Sequence, residues 1–548
     1  MFTKKIPTSF RARNTVDALI KISDEKLEKP LLDLPYSLFK LYETQGTRLE
    51  YEDVYTEHRL VTTAHFFAYL KTGEKSRLDA LVDAVWAILN EFTWALPAHL
   101  SGRNAVEMVT GRLDLFCAET AVQLCYIDAV LGDELPIIVR ERIRYETERR
   151  VINPFVTKAH EFGKSNWSAI QACGLTACYT LLFPEKFTDE VKNELIYIYE
   201  QFLLSYGDDG CCQEGPLYWI YGFGFFVYGA SLLREKTGID LFAREKVRKM
   251  AGYWDAISMP RGFVAAFSDS PITCKTKSGL ALFLNREYGI PLPPEESLSK
   301  FGEDRRVRFA DVFHDVFWDS DEKGIVKTEE KTVYYPDAQW FLRKGKEISV
   351  CAKGGHNDEP HNHNDVGSFI LFDKNQVVIS DLGWGEYDKA YFSDKRYENI
   401  CASSKGHSVP LLAMEEQKFT NEKQKAEVIK VSDDEFSIDM AKAYGVEKFI
   451  RSFAIKDETL TVTDECKTSF TERLVTTLKP AVAGFSVIVG GFAVETTPNC
   501  EIIVTETEYR PRRLVGSIHL KEVEKAYLID LIPLEKTDKI KLTLTKLK

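Results

Sequence analysis

No run of 18 or more consecutive apolar residues occurs in the chain, which predicts that no segment spans a membrane. The opening residues, MFTKKIPTSFRARN, carry positive charge but no apolar stretch behind it. No secretory signal is therefore expected, and a cytoplasmic location is. The 11 cysteines include no Cys-x-x-Cys pair, which argues against a thiolate zinc site. Their odd number and scatter read as reduced thiols. Basic residues are not in excess: 83 Asp and Glu stand against 71 Lys and Arg, a formal charge of −12. That argues against general binding to nucleic acid, and an anionic substrate would need a local basic cleft. Low-complexity segments and a repeat consensus are absent. What remains is a globular composition, 44% hydrophobic and 12% aromatic, in 548 residues, too many for one ordinary core.

The chain changes character partway along. Up to about residue 320, segments such as SRLDALVDAVWAILNEF, DLFCAETAVQLCYIDAVLG and DEVKNELIYIYEQFLLSYG carry apolar residues at helical spacing. Several are apolar on more than one side, which suits two layers of helices, an inner and an outer ring. From about residue 330, short runs such as EISVCAKG, VGSFILF, QVVISDLG, SIHLKEV and AYLIDLIPL alternate with turn residues. The expected architecture is multidomain α+β: a helical (α/α) toroid over 1–325, then an antiparallel β-sheet domain of stacked sheets over 326–548.

At residues 356–365 the chain reads HNDEPHNHND, three histidines and three acids with no aliphatic side chain, directly before VGSFILF. VGSFILF and QVVISDLG, joined by DKNQ, predict a hairpin. His361 and His363 precede its first strand and Asp381 follows its second, so all three belong at one end. His407 lies in the Gly- and Ser-rich loop SSKGHSVP. Imidazoles and a carboxylate on strand ends form a candidate site for one divalent ion. A solvated loop whose histidines cap strand ends is the plainer alternative. His356, Asn357, Asp358 and Glu359 read as supporting or solvent-exposed residues.

The helical half offers three further segments. In KSNWSAIQACG, Ser165 or Asn166 before an apolar helix reads most simply as a cap. In DDGCCQEGPLYWIYGFG, Glu214 precedes Tyr218, Trp219 and Tyr221, which alone read as an aromatic core stripe. TWALPAHLSGRN places Trp94, His99, Arg103 and Asn104 in a polar loop.

Together, Asn166-Trp167, DDGCCQEGPLYWIYG at 208–222, and HNHNDVGSF followed by Asp381 and His407 resemble the heparinase II/III-like polysaccharide lyases, in order and over most of the chain. The resemblance implies cleavage of uronate-containing glycosaminoglycans (hyaluronan, chondroitin sulfate, heparan sulfate) by β-elimination. It matches Tyr218 to the catalytic tyrosine, with Tyr221 as a competing match. Asn166 matches the residue neutralising the substrate carboxylate, and His361 the catalytic histidine. His363, Asp381 and His407 match metal ligands, with a mainly structural role for the ion. Zinc suits that N/N/O set best, with manganese or calcium as alternatives. Trp94, His99, Arg103, Asn104, Glu214 and Trp219 are expected to line the substrate site, and Arg103, Arg112 and Lys164 are candidates for meeting sulfate groups. One departure stands out. Where some relatives carry a histidine, this chain reads Lys164-Ser165-Asn166, which counts against cleavage of both uronate epimers.

The expected chemistry needs these residue types. Abstraction of the uronate C5 proton requires neutralisation of the neighbouring carboxylate, a base, and an acid for the O4 leaving group. A tyrosine serving as base would need cationic neighbours, with His361 or Arg103 as candidates. The alternatives are a lyase of alginate or other oligouronides, a toroid glycoside hydrolase using Glu214 with Asp208 or Asp209, and a non-catalytic carbohydrate-binding protein. No nucleic acid or membrane partner is expected, and a homodimer is the oligomer considered.

Overall fold

Helix Phe10–Lys26 packs on Leu49–Thr72 and also on Phe309–Phe317, so the two ends of the helical half meet. The computed structural model describes residues 2–159, 161–303, 306–320, 330–512 and 523–547. Between those ends, Leu115–Leu131, Asn166–Ala177 and Gly224–Thr237 pack side by side; the first two bury almost every residue, and the third is buried from Gly224 to Ala230. Helices apolar all round belong inside, and these form the inner layer. Lys75–Asn90 and Asp189–Leu203 bury only one face and form part of the outer layer. Two helical stretches, Leu115–Glu134 and Pro216–Thr237, are long and apolar enough to cross a membrane by length and composition alone; 78% of each apolar window is buried inside the protein, as in a core helix.

The β half begins with a five-stranded antiparallel sheet in chain order: Lys331–Tyr335, Trp340–Lys344, Ile348–Lys353, Phe369–Asp373 and Val377–Ile379. Its side chains alternate between two cores. Trp340, Leu342, Cys351, Ile370 and Phe372 join the core of the helices. Phe341, Val350, Ala352, Phe369 and Leu371 join the core of the remaining sheets. Burial on both faces explains why these strands read as continuous apolar runs. An eight-stranded antiparallel sheet and a three-stranded sheet, Glu472–Thr476, Glu524–Pro533 and Cys500–Tyr509, complete this half. The expected strand SIHLKEV falls mostly on 517–522, outside the described residues. The last helix of the helical half ends at Phe317 and the first strand starts at Lys331.

Strand Glu472–Thr476 is wholly buried although it begins with two charges. Glu472 meets Arg451 at 2.7 Å and Arg473 meets Asp530 at 2.6 Å. Arg451 is itself 0% exposed, grips Asp464 at 2.8 Å, and donates to the Gly367 and Ser408 carbonyls, both at 2.9 Å. It ties the start of the Phe369 strand to the loop behind His407. Arg451→Met strands two buried carboxylates, and a loss of about 3–5 kcal/mol is expected, read as a lower denaturant midpoint.

Candidate active site

The hairpin forms as expected, with Leu371 opposite Ile379. It brings His363, Asp381 and His407 together, all buried, with ligand-capable atoms within 4.8 Å of one another. Each imidazole is oriented through one nitrogen. His363 Nε2 lies 3.0 Å from Asp269 Oδ1, and His407 Nε2 lies 3.1 Å from the Cys401 carbonyl. This leaves both Nδ1 atoms on the Asp381 side. His407 Nδ1 is 3.0 Å from Asp381 Oδ2, and buried His363 Nδ1 has no hydrogen-bond partner among the described residues. Two imidazole nitrogens and a carboxylate, each ring held from behind by an oxygen, suit a divalent ion of the zinc type. Burial holds the His363 pKa down, Asp269 opposing; burial also acts against charge on His407, but Asp381 more than offsets it. A bound cation would displace the proton shared by His407 and Asp381. Metal analysis of the purified protein is expected to give about one divalent ion per chain, and His407→Ala to lower both that content and the melting temperature.

Asp269, which sequence reasoning missed, links this cluster to the rest. It comes from the helical half, in the loop after Tyr253–Ile257, and its side chain is 0% exposed. Its Oδ1 also receives Tyr391 Oη at 2.6 Å and Arg396 Nη2 at 2.9 Å. Its Oδ2 receives Tyr387 Oη at 2.7 Å and faces His361 Nδ1 at 2.9 Å. Burial opposes ionisation, but the two histidines and the Arg396 guanidinium hold the carboxyl well below its usual range. His361 (φ 56°) and Ser268 (φ 63°) both occupy the left-handed region around this contact.

Tyr218 completes the group. Its hydroxyl is 2.7 Å from the Tyr387 hydroxyl and 3.3 Å from His361 Nδ1, and its ring stacks on His361 at 4.2 Å. The short helix Pro216–Tyr218 passes directly into a π-helical turn, Trp219–Phe223, a distortion common at functional sites. Gly215 (φ 104°) permits the approach: a Cβ there would lie 3.1 Å from the Phe267 carbonyl, beside Asp269. Gly222 acts similarly, because a Cβ there would lie 2.9 Å from the Cβ of Asn166. Asn166 is buried and does not cap its helix; its Nδ2 reaches Glu214 Oε2 at 3.5 Å. Glu214 Oε2 in turn lies 3.6 Å from His361 Nε2. Burial raises the Glu214 pKa, with His361 opposing and Asp269 reinforcing it. Burial also pushes up the pKa of Tyr218, with Asp269 adding to the shift and Arg512 opposing it, so the free protein holds a phenol there.

Tyr218, His361, Asn166 and Glu214 therefore converge. Tyr221 does not join them: its hydroxyl donates to Glu119 and its ring lies 3.9 Å under Arg308. Trp94 and Trp219 are corrected from substrate contacts to core residues. Each is 1% exposed, and their indole N–H groups donate to the Ile88 and Met250 carbonyls. His99 is held by Asp114 at 2.7 Å and packs against Trp167, while Arg103 reaches only the His99 carbonyl at 3.5 Å, and Asn104 is exposed. Arg103 is therefore not the cation beside Tyr218; Arg512 is. In the histidine-rich segment, His356, Asn357 and Glu359 are buried supports, with Glu359 and Asp365 sharing buried Lys353 at 3.1 and 2.8 Å.

No protein-family model matches this chain, and no curated protein matches its sequence. Solved structures do. Heparinase III aligns with a TM-score of 0.69 at 15% identity, over 97% of this chain and 85% of its own. A heparan sulfate lyase from Pedobacter heparinus gives 0.59 at 14%, covering 97% and 88%. The Streptomyces coelicolor A3 chondroitin AC lyase, solved in complex with chondroitin sulphate, gives 0.55 at 8%, covering 97% and 82%. The chain thus has the helical-toroid and β-sheet fold of polysaccharide lyases, and within that class its full-length likeness extends to both heparinase and chondroitin AC lyase structures.

Proposed function

We propose that this chain is a lyase that cleaves uronate-containing glycosaminoglycans or their oligosaccharides by β-elimination, leaving a 4,5-unsaturated uronate end. The observation that carries this reading is the convergence of Tyr218, His361, Tyr387, Asn166 and Glu214 where the helical and β halves meet. The Asn166 amide and His361 Nε2 are donors for the uronate carboxylate, and Glu214, whose pKa burial raises, lies beside both. Carboxylate neutralisation stabilises the enolate-like transition state. Tyr218 is the group that moves the proton. Its own proton leaves through the Tyr387 hydroxyl at 2.7 Å, which accepts it while passing its own proton to Asp269 Oδ2 at 2.7 Å, and the His361 Nδ1–H at 3.3 Å faces the phenolate oxygen that results. The phenolate then takes the C5 proton and returns it to the departing O4 when the two are syn. When they are anti, His361 is the second group. Zinc held by His363, Asp381 and His407 would anchor the loop carrying His361, an orienting role away from the substrate.

The fold relationship to lyases of heparan and chondroitin sulfates supports the glycosaminoglycan class over alginate. A hydrolase is disfavoured by the carboxylates themselves. Asp209 accepts backbone N–H groups from Cys211 and Asp337, Asp208 is an exposed partner of Lys246, and Asp269 is saturated with donors. The test is ultraviolet absorbance during incubation with hyaluronan, chondroitin sulfates, heparan sulfate and alginate, as polymers and as oligosaccharides. A rising signal on a glycosaminoglycan is expected. New reducing ends without that signal would replace the lyase by a hydrolase.

A further inference from the structure

The loop that follows strand Cys500–Tyr509 carries Arg512 to the edge of this site. Its backbone is clamped there: Pro511 bridges to Gly385, the Arg512 N–H donates to the Trp384 carbonyl at 2.9 Å, and the Trp384 indole donates back to the Arg512 carbonyl at 3.0 Å. The guanidinium lies 3.9 Å from the centre of the Tyr387 ring and 4.5 Å from that of Trp384. No carboxylate pairs with it among the described residues, and it is half-buried. The Tyr387 hydroxyl is the one that touches Tyr218, so this cation is one ring away from the proton-transfer group.

Arg512 has cationic company. Glu52 is shared by Arg48 and Arg306, and Arg308 approaches Glu119 at 3.7 Å. Arg306 and Arg308 line a small hollow with Glu119, Tyr55 and Phe116. Burial and the like charges of Arg512, Arg48 and Arg308 bring the Arg306 pKa down to about 10, against the pull of Glu52. Stacking on aromatic rings fixes the plane of a guanidinium while leaving its N–H edge for an oxyanion.

We propose that Arg512 forms an oxyanion subsite for a sulfate ester or carboxylate on the saccharide unit next to the scissile bond. This rests on the lyase reading for its biological ligand, but the subsite itself can be tested without turnover. Trp384 lies against Arg512, so its fluorescence is the reporter, and inorganic sulfate is the probe. Wild type is expected to show a saturable change with sulfate that Arg512→Gln abolishes and Arg512→Lys weakens. No saturable response in wild type, or an equal response in Arg512→Gln, would overturn the subsite whether or not the protein is a lyase. The second arm is kinetic and uses matched sulfated and desulfated oligosaccharides. Loss of a charge-assisted contact predicts that Arg512→Gln raises KM about ten- to a hundred-fold with kcat little changed. An increase confined to the sulfated substrate assigns the ligand group as sulfate ester; an equal increase on both assigns it as carboxylate. Unchanged KM on both would refute the proposal, and a fall in kcat alone would reassign Arg512 to positioning Tyr387.

Discussion

Tyr218→Phe is expected to reduce kcat by about a thousand-fold or more while KM stays close to wild type. The substitution removes one oxygen and keeps the ring that stacks on His361 at 4.2 Å, so the pocket retains its shape. Burial already makes the Tyr218 phenolate costly, and the protein meets that cost through the relay from Tyr387 to Asp269 and the His361 Nδ1–H at 3.3 Å. Without the hydroxyl, neither C5 deprotonation nor O4 protonation has a carrier on that face. Tyr221→Phe is the informative control. Its hydroxyl is committed to Glu119, and a much smaller effect is expected. Equal losses in the two variants would remove Tyr218 from its assigned role.

Asp269→Asn is expected to act on both activity and metal retention. The carboxylate satisfies five side chains, and an amide places a donor against donors. His363 loses the partner that orients its ring, and loss of such a partner weakens metal affinity about 10- to 100-fold. Tyr387 and His361 lose their common acceptor at the same time, so kcat should also fall steeply. Circular dichroism separates this from unfolding, since the change is nearly isosteric. Full metal content and normal turnover in Asp269→Asn would show that Asp269 is merely buried rather than organising.

The sequence made the two-part architecture legible because periodicity is local. Helical spacing and short alternating runs survive whatever they pack against. It missed strand Glu472–Thr476 because charges inside a sheet break the alternation, and their partners, Arg451 and Asp530, are distant in the chain. The His363–Asp381–His407 cluster was legible because a hairpin is a short-range device that places residues at a known end. Tyr218 and His361 were readable only through family likeness, since nothing local brings them together. Asp269 was invisible: FSDSPITC looks like an ordinary turn, and its importance arises from five contacts at long range. Tyr387, Tyr391 and Arg396 did leave a signal. They sit in an aromatic-rich stretch between Asp381 and His407 with no regular strand, and connections that long are commonly functional. Trp94 and Trp219 show the converse, aromatic side chains near the motif that the fold uses as packing.

The contacts of Asp269 span 92 to 127 residues of chain. Such long closures come late in folding, because the entropy of the intervening loop must be lost first. On the ribosome the helical half emerges before any of these donors exists. Until residue 396 has been made and docked, Asp269 is an unsatisfied carboxylate at the edge of a finished toroid, and Tyr218 lacks both of its neighbours. On the lyase reading, the nascent chain is therefore expected to be catalytically silent. On that reading turnover is expected only once the two halves have docked, which would make activity a direct reporter of correct assembly during synthesis or refolding.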